Sequence, residues 1–308
     1  MLKYATKRIL QLIPTLLVIS AITFLMVRLI PGDPVTILYG MDEGTDPEYL
    51  EYVREQYGLN DPLPIQYARY VVNILKGDLG TSLFTHKTIA EELATRYKAT
   101  VTLAVGGTLI GSILGVCFGV LAAVYHNKLA DNIVMVISML AVSMPSFFLA
   151  LMLMLLFSVK LGWLPTFGFK GIKYAILPIA TLGLRAVGMI ARTTRSSMLD
   201  VINQDYIRTS KSRGMSKGTI VLSHAFKNAM IPILTAIGLR FGTLLAGSAL
   251  VETVFSIPGV GKFMIDAVGN RDYPALQSTI LVLAATFVLV NTLVDLLYGL
   301  IDPRVKYE

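Results

Sequence analysis

The chain has 308 residues, 54% of them hydrophobic and only 15% charged, where a soluble chain carries roughly 25% charged residues. Its apolar residues come in runs near the ~20 that a helix needs to cross a bilayer, so a single soluble core is excluded and the membrane is the simpler solvent. The net charge of +7 is concentrated in short loops beside apolar runs, which makes it an orientation signal rather than a nucleic-acid surface, and one cysteine, Cys117, excludes a disulfide framework or a multi-cysteine metal site within the chain.

Lys3, Lys7 and Arg8 precede an apolar run over 9–30. That run is too long for the core of a signal peptide and no small-residue cleavage site follows, so it is expected to stay as the first span. Five more spans are predicted at 99–125, 134–159, 175–191, 229–251 and 276–300, which puts both termini on one side. With the N-terminus cytoplasmic, the short inner segments hold 13 Lys and Arg and the short outer ones 5. The positive-inside rule therefore predicts cytoplasmic N- and C-termini. Expected organisation is a cytoplasmic N-terminus and first span (1–30), an external helical cap (31–98), a five-span core (99–300) containing a cytoplasmic loop (192–228), and a cytoplasmic tail (301–308).

Within 31–98, Asp46 is placed to cap a helix beginning at Pro47 and ending at Gly58, and Asp61 and Pro62 begin another that closes near Gly77. Thr88 and Glu91 have capping-box spacing. The segment carries a net of −5 and is too small for a large ligand-binding domain. Gly107, Gly111, Gly115 and Gly119 recur every fourth residue in the second span, continued by Ala123; Gly238, Gly242 and Ala246 do the same in the fifth. This spacing lets a neighbouring helix approach closely. Pro145, in Ser143-Met-Pro-Ser146, and Pro232 interrupt spans, and a static kink is the default expectation at each.

No catalytic constellation emerges. His86, His126 and His224 are the only histidines, and none has a metal-ligand neighbour three or four residues on. Neither a Gly-x-Ser-x-Gly elbow nor a phosphate-binding Gly-x-x-x-x-Gly-Lys-Ser/Thr loop is present. An intramembrane enzyme would need a nucleophile–base pair or paired buried carboxylates, so no catalytic residue and no metal ligand is assigned.

The loop 192–228 carries a net of +5, more length and pattern than orientation requires. Asp205 is expected to cap a short helix through Arg213, Gly214 to supply the left-handed turn that ends it, and Ser216 to cap the next helix into the fifth span. Two helices joined at a glycine would project a rigid knob from the membrane face, suited to docking.

Asp205-Tyr-Ile-Arg-Thr-Ser-Lys-Ser-Arg-Gly214, followed by His224-Ala-Phe-Lys-Asn-Ala-Met-Ile-Pro232, resembles the coupling loop of ABC-importer permeases, specifically the first permease subunit of dipeptide and oligopeptide importers. Further matches run nearly end to end: Pro31-Gly-Asp-Pro34, Tyr57-Gly-Leu-Asn-Asp-Pro-Leu-Pro64, Gly77-Asp-Leu-Gly-Thr-Ser82, Gly162-Trp-Leu-Pro165, Glu252-Thr-Val-Phe-Ser-Ile-Pro-Gly259, Arg271-Asp-Tyr-Pro274 and Asp302-Pro-Arg304. Where such loops often carry Glu-Ala-Ala six residues before the glycine, this chain has Arg208-Thr209-Ser210. The resemblance implies an all-α, type I importer fold in a prokaryotic inner membrane. It implies a heterodimer with a second permease, two cytoplasmic ATPases that bind the ATP and Mg2+, and an external substrate-binding protein; this chain would hold no cofactor and bind no nucleic acid. It also implies that Asp205, Tyr206, Arg208, Thr209, Ser210, Lys211, Arg213 and Gly214 couple the chain to an ATPase. The implied substrate is a di- or oligopeptide, with nickel, glutathione or another small solute as alternatives and an ATP-independent transporter or channel as the remote one.

Arg185 and Arg240 fall near the middle of the fourth and fifth spans, where a charge must face protein or water. Two readings stand open. With Pro145 they line the pathway and attract a substrate carboxylate or backbone carbonyls, or they pair with Asp295 or with carbonyls freed at helix breaks such as Pro178.

Overall fold

The computed structural model describes residues 2–29, 35–36, 46–56 and 58–301. The Pro-Gly-Asp-Pro motif at 31–34, Tyr57 and the expected tail from 302 onward lie outside the described residues, as do the side chains of Lys3, Lys7 and Arg8. Among the described residues the fold is all-α, with one isolated bridge between Thr81 and Thr88. Helices stand at all six expected spans. α1 (Leu2–Leu29) comes first, then two short helices, α2 (Pro47–Gln56) and α3 (Leu63–Leu75), and then α4 (Ile89–Val124). α5 (Leu129–Ser143) and α6 (Ser146–Met154) make a bent pair, followed by α7 (Ile172–Ile202) and the short α8 (Asp205–Ser212). α9 (Lys217–Thr219) runs through a π-helical stretch, Ile220–Phe226, into α10 (Lys227–Leu245); α11 (Ala249–Val254), α12 (Val260–Gly269) and α13 (Tyr273–Ile301) complete the chain.

Among the described residues four helices are long and apolar enough to cross a membrane: α4, α7, the continuous Lys217–Leu245 and most of α13. α1 adds a shorter apolar stretch, Leu10–Met26. Three expected spans need correcting. The third is broken, not kinked: α5 and α6 meet at 101°. Met144 is extended (φ −72°, ψ 130°), as a residue before proline prefers, and Pro145 has no N–H with which to continue the ladder. The fourth outruns its apolar segment by eleven residues to Ile202. The fifth stops at Leu245 because Gly247 adopts φ +98°.

The glycine rows assemble the bundle. Each glycine of the four-residue row on α4 faces a residue one turn further along α7: Gly107 meets Leu182, Gly111 meets Ala186, Gly115 meets Ile190 and Gly119 meets Thr194. An added Cβ would lie 2.8 Å from the Cβ of Ile190 at Gly115 and 2.6 Å from the Ala191 carbonyl oxygen at Gly119. α4 and α7 therefore form a parallel, closely packed pair. On α10, Gly238 sits against Val294 and Gly242 against Asn291 of α13. Both rows are filled by helices of the same chain.

Buried acids tie the side of the bundle that carries α2 and α3, here the cap side. Asp272 accepts from Ser82 Oγ and from the backbone N–H groups of Leu83 and Phe84, and it caps α13 through Ala275 N–H at 3.1 Å. Glu252, fully buried, accepts from Thr100 Oγ1 at 3.0 Å and from Lys262 N–H at 2.9 Å, closing the hairpin of α11 and α12 onto α4. Thr88 is the N-cap of α4, but its side chain makes no capping bond and the expected capping box is not formed. Asp46 does cap α2, accepting from Glu48 N–H at 3.0 Å.

Candidate functional site

At the opposite, loop side, α7 runs on to Ile202, so the expected 37-residue loop shrinks to the turn at 203–204, α8 and the joint at 213–216. The fastening of α8 is a single side chain. Ile207 is fully buried in a cluster with Ala123, Met198, Ile220, Ala225, Ala229 and Ile233, which joins α4, α7 and the α9–α10 helix. The rest of α8 turns outward: Tyr206, Arg208, Thr209, Lys211, Arg213 and Gly214 are exposed and Ser210 is half-buried. Thr209 Oγ1 and Ser210 Oγ donate to the carbonyls of Asp205 and Tyr206, four residues back. These hydroxyls are satisfied by the helix, leaving the cations to dominate the outer face.

Asp205 needs a correction. It does not cap α8: Gln204 holds the N-cap position, no side-chain capping bond forms, and Asp205 is the first helical residue. There its charge suits the positive end of the helix dipole, and its 3.7 Å pair with Arg208, both side chains largely exposed, adds little. Gly214 does supply the turn, at φ +77°, with its N–H donating to the Lys211 carbonyl at 3.0 Å. Ser216 does cap α9, accepting from Thr219 N–H at 3.2 Å.

A residue not singled out from the sequence completes this side. Asp131, buried at the start of α5, receives Arg195 Nε at 2.6 Å and a second guanidinium N–H at 2.7 Å, and the Asn127 N–H at 2.9 Å. The Arg195 guanidinium beside it holds the Asp131 carboxyl well below the usual carboxylate range, against the opposing effect of burial. His126 Nδ1 lies 3.0 Å from the same guanidinium. Arg195, one of the basic residues of the 192–228 segment, is thus committed to locking the short 126–133 segment onto α7. An acid in an otherwise basic inner segment was the available signal. Asp272 and Glu252 likewise lay inside recognised motifs without an assigned role.

The structure brings Arg185 and Arg240 together. An added Cβ on Gly107 would touch both Leu182 of α7 and Leu244 of α10, at 3.0 and 3.5 Å, so these two leucines share a level. The two helices run in opposite directions. Arg185, three residues past Leu182, and Arg240, four before Leu244, therefore lie about 4.5 and 6 Å to the same side of that level. The Arg185 charge acts on the Arg240 guanidinium. Among the described residues neither forms an ion pair with Asp295 or any other acid. Pro145 is exposed at the α5–α6 break, and α5 meets α7 where Ser138 and Val142 face Gly188, three residues beyond Arg185.

A bundle of spans with two arginines at one level within it, and an anchored basic helix at one end, fits a solute permease. The family model for the inner-membrane component of binding-protein-dependent transport systems matches residues 115–307, and that for its N-terminal companion matches residues 1–104. The chain belongs to this family, the permeases of ABC importers, and is a multi-pass inner-membrane protein. Among its relatives are the glutathione transport system permease proteins GsiC of Salmonella paratyphi A and of Escherichia coli K12, each 42% identical over 308 residues and covering 100% of both chains. Solved structures share the fold. A chain of the inward-facing MetNI methionine ABC transporter aligns with a TM-score of 0.58 at 21% identity, over 68% of this chain and 96% of that one. A chain of an amino acid ABC transporter with histidines aligns at 0.53 and 17% identity, over 70% and 94%.

Proposed function

We propose that the chain is one of two permease subunits of an ATP-driven importer of small peptides, with glutathione, the solute named for its relatives, and di- or oligopeptides as the candidate substrates. The observation that carries this reading is α8: one buried isoleucine fastens it to three spans at once, while its other face presents Arg208, Lys211 and Arg213 to solvent. A knob so built passes a push from a docked protein into the bundle. In this reading the loop side and both termini are cytoplasmic, two ATPase subunits bind the ATP and Mg2+, and this chain contributes no ATP site. A second permease completes the pathway, and an external binding protein delivers the solute to the cap side. Closure of the ATPases displaces α8 and exposes the pathway alternately to either side.

The test is reconstitution of the complete complex in proteoliposomes with each candidate binding protein. ATP-dependent uptake of glutathione or a short peptide is expected, and uptake driven by an ion gradient without ATPases would refute the reading. Substrate class follows from which of glutathione, di- and oligopeptides, or nickel raises the melting temperature of the cognate binding protein.

A further inference from the structure

Two features of the Arg185–Arg240 pair call for a third partner. Arg240 lies on the α10 stripe formed by Ile233, Ile237 and Leu244, which faces α4 and α7; Gly238 and Gly242 face α13 instead. Its Nε is buried and has no hydrogen-bond partner. The pair occupies the gap between the apolar cluster that contains Leu182 and Leu244 and the one that contains Ile233 and Ile237. Its level matches that of Gly111, which faces Ala186, midway along the apolar run of α4.

Two like charges held together at mid-membrane depth repel each other and raise the cost of burying either one. Proteins keep such a pair only where water or an anion reaches it. A guanidinium presents a planar fork of donors whose best small partner is a carboxylate, bound through two parallel N–H···O contacts. Lipid chains supply no such group.

We propose that Arg185 and Arg240 form a carboxylate-recognition site on the translocation pathway, so that the transported solute carries at least one free carboxylate, as a short peptide does. The proposal rests on the importer reading above and adds the chemical group the permease itself recognises. The pathway then holds a solute by the end that every unmodified peptide shares, leaving its side chains free to vary.

The experiment compares ATP-dependent uptake of glutathione, and of alanylalanine, whose only carboxylate is C-terminal, with that of their C-terminal amides, in the complete reconstituted complex and with one binding protein throughout. Wild type is measured beside Arg185→Gln, Arg240→Gln and Arg240→Lys. The preference for the free acid in kcat/KM is expected to fall on the order of tenfold in each glutamine variant, and Arg240→Lys, which keeps the charge, to retain part of it. Because the binding protein is constant, a change in preference belongs to the permease. An unchanged preference in all variants overturns the proposal, as does an equal loss for acid and amide, which marks a structural role. Loss of the second permease on purification of the glutamine variants also overturns it, because the anion is then an acid of that subunit. Wild type that imports none of these compounds removes the small-peptide reading itself, a result distinct from import without preference.

Discussion

Ile207→Ala separates the anchoring of α8 from its docking face. Ile207 is fully buried, and its neighbours come from α4, α7 and the α9–α10 helix, which hold one another in place and cannot collapse into a void. An isoleucine-to-alanine change in such a site costs about 2–5 kcal/mol. With α8 only eight residues long, nothing intrinsic keeps it folded once undocked, since isolated helices below ~12 residues are marginal. The whole loss therefore appears as local opening. At 1.4 kcal/mol per factor of ten, the opened population rises about thirtyfold to several thousandfold. Hydrogen–deuterium exchange of the permease in nanodiscs should show this as lost protection over 205–212, with α4 and the cap-side half of α7 unchanged. Transport should fall while the ATPases still hydrolyse ATP. Arg208→Ala is the companion: its side chain is 74% exposed, so protection should stay within the ~0.5 kcal/mol typical of surface changes while ATPase docking weakens. If Ile207→Ala leaves both exchange and transport unaltered, α8 is not fastened by this side chain and the account of the knob fails.

Other expectations follow from the same contacts. At Gly214 an added Cβ meets nothing within 4 Å, so Gly214→Ala should cost only the left-handed backbone penalty of about 1–2 kcal/mol, read as faster exchange at 211–216, and Gly214→Asn should cost less. Gly119→Leu drives a side chain into the Ala191 carbonyl and Thr194 and should abolish folded permease on size exclusion, whereas Gly218→Ala, whose methyl meets nothing, should be silent. Asp131→Asn breaks a buried ion pair and should cost about 3–5 kcal/mol near neutral pH. Because pairing depresses the Asp131 pKa, that stabilisation is present above the ordinary carboxylate range and is lost as pH falls, when the unfolded chain takes up a proton that the folded one refuses. The gap in melting temperature between wild type and Asp131→Asn should accordingly hold from neutral pH down to about pH 5 and narrow as pH falls further toward about 2; a gap that stays constant over that lower range would remove the ion pair as its cause.

What could be read from the sequence was whatever is local in the chain. Apolar runs located the spans, four-residue glycine spacing located the tight faces, and Gly214 and Ser216 did at the joint what their chemistry predicts. Boundaries failed where two local signals conflict. Arg192 and Arg195 end the apolar run of α7, but Thr194, Ser197 and Met198 continue its buried face, and packing against α4 carries the helix on. In the fifth span the apolar pattern runs past Leu245 into Leu250, while backbone geometry at Gly247 ends the helix. Pro145 announces an interruption, yet a 101° bend depends on what α5 and α6 pack against. The buried acids were hidden for a stronger reason: Asp131, Glu252 and Asp272 meet partners 64, 152 and 190 residues away, and no spacing in one chain encodes such pairings.

The positions of the two arginines gain meaning from what lies between them in sequence. Arg185 is on α7 and Arg240 on α10, and the segment joining these helices is the α8 knob. The two limbs differ mechanically. From Arg185 to Ile202 α7 is an unbroken α-helix of 17 residues beyond the arginine, about 26 Å of rod, stiffened by Asp131 at Arg195. The other limb passes through seven π-helical residues, Ile220–Phe226, and then Pro232, which removes a ladder hydrogen bond; π turns and prolines are where helices bend. A displacement of α8 therefore moves Arg185 with the rod, while the α9–α10 limb flexes and Arg240 stays with its glycine-packed contact to α13. The separation of the two guanidinium groups, and with it the fit to one carboxylate, is the quantity such a push would change.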